Sequence, residues 1–96
     1  MPGGYDSLIK AVKEGTIETK DTFVSELNAL HTELAANLAE QKQEKYNEAL
    51  VTKGKLESKL DQLQRMDANL ADEIATYRTE MSELLSTSLT ALNSLK

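Results

Sequence analysis

His31 is the only histidine in a chain of 96 residues that has no cysteine and no tryptophan. A nucleophile–base–acid triad or a nitrogen-ligated metal site would have to be assembled around that one imidazole, and no thiolate is available to help it. Glu40, Glu44 and Glu48 recur at i, i+4 and i+8 and share one helix face. Carboxylates so spaced can ligate a metal, but the Glu-x-x-His partners of di-metal bundles are missing, and the trio reads as a solvated face. Gly3-Gly4 precedes a short helical stretch with no strand before it, so it is no phosphate-binding loop. Lys53, Lys55 and Lys59 stand against Glu57, a small local basic excess on a chain with net charge −5 and only 4% aromatic residues. That balance argues against a nucleic-acid partner. No residue is therefore assigned a catalytic, cofactor-binding or metal-binding role, and the chain reads as a non-enzymatic protein.

The elements that would position a binding surface are easier to read. Gly and Pro occur only at Pro2, Gly3, Gly4, Gly15 and Gly54, which leaves 16–53 and 55–96 free of both. These stretches are rich in Ala, Leu, Glu, Lys and Gln, the residues that lose least on entering a helix. No alternating β-branched run or Asn-Gly turn points to a strand. The fold class expected is all-α: residues 1–15 as an N-terminal segment with a short helix near 6–14, then residues 16–96 as a helical hairpin turning near Gly54.

Heptad spacing supports two apolar stripes. Leu56, Leu60, Leu63, Leu70, Ile74, Tyr77, Met81 and Leu84 make one, interrupted at Asp67. Val24, Leu27, His31, Leu34 and Leu38 make the other, which turns polar at Gln41 and Lys42. Run backwards through Gly54, the frame of the first stripe lands on Ala49, Tyr46 and Lys42 and then misses Leu38, Leu34 and Leu27. The two stripes are out of phase, which one continuous rod absorbs only with stutters. A reversal at Gly54 pairs His31 with Tyr77, Leu34 with Ile74 and Leu27 with Met81, and sets Gln41 opposite Asp67. In that register Gln41, Lys42 and Asp67 form a polar layer that sets register, and replacing Asp67 with Leu is expected to raise stability.

One seam rarely stabilises a chain this small, so the surplus apolar residues mark where further burial happens. Leu8, Ile9, Val12, Phe23, Leu30, Leu85, Leu89 and Leu92 gather at the open end of the expected hairpin. They form the candidate partner-binding surface, covered by residues 5–14 folding back, by a second copy, or by a different protein.

The function expected is protein–protein association through a coiled-coil seam and an apolar open end, self-associating into a helical bundle. The alternative is a small adaptor, chaperone or co-exported partner of a bacterial secretion apparatus that binds another helical protein. Small acidic helical hairpins of the WXG type and type III needle subunits share this size and architecture. The Trp-x-Gly turn of the former and the proline-containing turn of the latter are both absent here. No apolar run approaches the ~20 residues of a membrane span, and the N-terminus has no signal-peptide core. A cytoplasmic location, or export without a cleavable signal, is expected.

Overall fold

The computed structural model describes residues 3–95. Four helices and one short 3-10 turn follow each other: α1 (Gly4–Glu14), α2 (Lys20–Ala39), α3 (Gln43–Met66), the 3-10 turn (Ala68–Leu70) and α4 (Ala71–Ser94). The all-α fold class is as expected from the sequence. The hairpin is not, because the chain reverses three times, at 15–19, 40–42 and 67–70, and none of these reversals is at Gly54.

Gly54 lies inside α3, where a Cβ would meet nothing within 4 Å. A lone glycine costs a helix only about 1 kcal/mol relative to alanine, and the apolar stripe runs on through it. Leu63, Leu60, Leu56, Thr52 and Ala49 are all buried, and Tyr46 packs against the same core. The chain turns instead where both stripes become polar. At 40–42, the Glu40 and Gln41 N–H groups donate to Asn37 and Leu38 carbonyls, and Gln41 takes a left-handed φ of 51°. At Asp67, the N–H donates to Leu63 O at 2.8 Å and ends α3, while the carboxylate accepts from the Asn69 N–H at 3.0 Å. Gln41, Lys42 and Asp67 are thus turn residues and not a polar layer within a seam. Side chains with no apolar surface to bury gain nothing in a helix interface, whereas a short carboxylate can cap the element that follows.

The long helices alternate in direction. Thr52 bonds Glu33 and Lys59 pairs with Glu26, so seven residues forward on α3 are seven residues back on α2. Arg78 of α4 reaches back to Glu57 at 2.8 Å and Asp61 at 2.5 Å on α3. α2 and α4 therefore run parallel, each antiparallel to the α3 between them. α1 closes the ring: it packs on α2 and α4 and runs antiparallel to α4, with Tyr5 beside Glu80 and Gly15 beside Asp67. The cyclic order is α1–α2–α3–α4. The particle measures 48 × 23 × 20 Å, shorter than the ~55–65 Å hairpin that two arms would make.

The core runs through all four helices. Leu8 and Val12 of α1, Leu27 and Leu34 of α2, Leu56, Leu60 and Leu63 of α3, and Ile74, Tyr77 and Met81 of α4 have no solvent exposure. Truncating one of these leucines to alanine costs about 2–5 kcal/mol. Phe23, Val24, Leu70 and Leu85 complete the same cluster. Among the described residues, no helix is long and apolar enough to cross a membrane.

Candidate functional site

α1 is eleven residues long and α4 is 24. That mismatch creates the site, because a three-turn helix cannot cover the whole groove between α2 and α4. The inner half is filled. Tyr5 of α1 lies against His31 of α2 and Tyr77 of α4, with ring centroids 3.9 and 5.2 Å away. The Tyr5 hydroxyl donates to Asn28 Oδ1, and the His31 Nδ1 to Tyr77 hydroxyl separation is 2.8 Å. α1 has no side chain of its own capping its N-terminus. Glu80 of α4 does this from across the groove, accepting the Tyr5 N–H at 3.0 Å. Close approach there uses the glycines: a Cβ on Gly4 would come 2.6 Å from a Glu80 carboxylate oxygen and 3.1 Å from Thr76.

Electrostatics follow from this burial. Desolvation pushes the His31 imidazole below its ordinary value, opposed by the carboxylates of Glu80 and Asp6. His31 Nδ1 and the Tyr77 hydroxyl share one hydrogen bond, whose donor is set by the tautomer of the imidazole. Burial also raises both phenols: Tyr5, helped by Asp6, to about 12, and Tyr77, next to Tyr5 and Glu80, further still. The cluster is a set of neutral, mutually satisfied groups that clamps α1 in place. It holds no activated nucleophile. Among the described residues, no three of His, Asp and Glu stand close enough to hold a metal ion.

The outer half of the same groove is open. Ala35, Leu38 and Ala39 of α2 face Leu84, Ser88 and Ala91 of α4 around a cavity of about 500 Å³. Small residues on both walls keep the two backbones accessible, and Leu84 remains 41% exposed. Glu80 and Glu83 supply the charge at the inner end, and among the described residues no cation lines either wall.

The eight residues expected to form a partner surface do not come together as one. Leu8 and Val12 are wholly buried, and Phe23, Leu85 and Leu92 are nearly so. Ile9 and Leu30 are half-buried on different helices, and only Leu89, at 39%, is exposed. The docking of residues 5–14 as a helix is the reason: α1 brings its own apolar face, Leu8 and Val12, into the α2/α4 groove. Leu38 and Leu84, which the heptad pattern places in a seam, line the open groove instead. Ala35, Ala39, Ser88 and Ala91 gave a faint signal, small residues four and three apart on two helices. Their meaning depended on knowing that α2 and α4 run parallel on the two sides of one groove.

Comparison with family models, with curated proteins and with solved structures returns no match to this chain.

Proposed function

We propose that this chain is a non-enzymatic assembly protein that receives an apolar helix in the open half of its α2/α4 groove, and that self-association is the way it is used. One observation carries the reading: α1 fills only part of a groove that continues past it between Ala35–Ala39 of α2, a little over one turn, and Leu84–Ala91 of α4, about two turns. The bundle has four helices at one level and three at the next. An amphipathic helix laid into such a groove is a common mode of recognition, and the chain's own α1 is an example of a helix that fits. The coiled-coil seam is consumed within the chain, so association depends on this groove and not on the heptad stripes.

The test is a concentration series by methyl NMR. The Leu38 and Leu84 methyl resonances should shift as concentration rises, while those of the enclosed Leu56 and Leu60 stay still. Ala91→Glu, which puts a charge on the groove wall, should remove the shifts without lowering the melting temperature. Groove methyls that are indifferent to concentration would overturn self-association through this groove.

A further inference from the structure

Gly54 has no internal purpose. It sits in mid-helix, with a helical backbone, and nothing lies within 4 Å of where its Cβ would be. Alanine there would favour the helix and touch nothing. The face around it is unusual for an acidic protein. Leu50, Gly54 and Ser58 line up at i, i+4 and i+8, with Val51 beside them, and Leu50 and Val51 are 44% and 63% exposed. Lys53 and Lys55 flank Gly54 on either side, each about 100° around the helix. Toward α2, the face continues into a shallow concavity of about 420 Å³ lined by Ala29, Leu30, Lys55 and Ser58.

We infer that this outer face of α3 is what the open groove receives: α3 of one copy docks between α2 and α4 of the next. The inference rests on the groove reading above and names its occupant. The two surfaces match in three respects. The groove is lined by Ala35, Ala39, Ser88 and Ala91, and the α3 face is flattened at Gly54, so the backbones can approach closely. Leu50 and Val51 supply the apolar side chains that Leu38 and Leu84 lack as neighbours. Among the described residues the groove carries Glu80 and Glu83 and no cation, whereas the α3 face carries Lys55 and also Lys53, the latter paired with Glu57 at 3.5 Å.

α3 lies across the bundle from the α2/α4 groove, so the two surfaces point away from each other. The contact is therefore heterologous. Each copy gives one surface and takes the other, and the assembly grows beyond a dimer as a ring or an open chain. A groove of one to two turns is small beside the ~800 Å² per partner of a standard stable interface, so association is weak and concentration-dependent.

The experiment is sedimentation of the full chain up to about 1 mM, a range in which weak contacts are populated. Average mass should rise past that of a dimer. Gly54→Leu fills the flat spot without touching its own fold, so it should raise the melting temperature yet weaken association about tenfold or more. Ala91→Glu blocks the groove and should be equally poor at associating. Mixed together, the two variants should form a heterodimer and stop there, because one retains a working groove and the other a working α3 face. Association of normal strength in Gly54→Leu, with Ala91→Glu still defective, overturns the α3 assignment and leaves the groove reading intact. A wild-type mass that stays monomeric throughout, with unmoved Leu38 and Leu84 methyls, overturns both.

Discussion

The phenol ring of Tyr5 lies flat on the imidazole of His31, with centroids 3.9 Å apart and planes within 4° of parallel. The two residues belong to α1 and α2, and the Tyr5 hydroxyl reaches on to Asn28 while His31 meets Tyr77 of α4. This stack joins the shortest helix to the two that form its groove. It adds to the hold that buried Leu8 and Val12 and the Glu80 carboxylate already have on α1.

The stack should therefore show a measurable coupling. Tyr5→Leu loses an aromatic contact worth about 0.5–1.5 kcal/mol and a hydrogen bond worth roughly 1 kcal/mol. A double-mutant cycle of Tyr5→Leu with His31→Leu should recover about 0.5–1.5 kcal/mol of interaction energy from denaturant unfolding. Strictly additive losses would show that the rings are merely adjacent.

Stability should also fall on mild acidification. Burial holds the folded His31 value below the 6.5 of a free imidazole, so between those two values the unfolded chain binds the proton more readily. The stabilisation is complete above pH 6.5 and drains away as pH falls through the folded value. The groups facing the ring are Tyr5 and Asp6 of α1, Asn28 of α2, and Tyr77 and Glu80 of α4; the two carboxylates moderate the effect without reversing it. Melting temperatures of wild type and His31→Gln from about pH 7.5 to 5 should diverge, with only the wild type sloping. At the alkaline end the sign is opposite. Tyr5, raised from 10 to about 12, adds stability that is present below pH 10 and is lost above it.

Asp67→Leu is now expected to destabilise. The carboxylate accepts the Asn69 N–H at 3.0 Å and starts the turn into α4. Losing a cap of this kind costs about 1 kcal/mol, and leucine adds exposed apolar surface in its place. A higher melting temperature for this variant would restore the seam interpretation of Asp67.

Gln41→Gly should stabilise. At φ 51° the glutamine occupies the backbone region that costs an L-residue roughly 1–2 kcal/mol. Glycine removes that cost and gives back about 0.5–1 kcal/mol through the entropy of the unfolded chain. The net gain expected in denaturant unfolding is up to about 1 kcal/mol. Gln41→Ala, which keeps the strain, should show none of it.

Much of the bundle was legible from residue spacing. Helix type, the absence of strands among the described residues, the helix stop at Gly15 and most positions of the two apolar stripes follow from periodicity, because burial of one face repeats every three or four residues. The His31–Tyr77 contact was also expected, but in an antiparallel register; the two helices run parallel, and this pair is where the two registers coincide. The pattern marked Gln41, Lys42 and Asp67 as breaks. It could not say whether a polar break is a layer inside a seam or the end of a helix, since both interrupt an apolar stripe equally.

What the sequence determined by itself is therefore the local part: an all-α chain with apolar stripes that demand partners. Tertiary structure alone decided which stripes met. A glycine in mid-helix costs about 1 kcal/mol, far less than the burial gained by letting the stripe run from Ala49 to Leu63, so the turns moved to the polar breaks. That choice set α2 parallel to α4 on the two sides of α3, gave α1 a groove it fills only in part, and left Leu38 and Leu84 lining the rest.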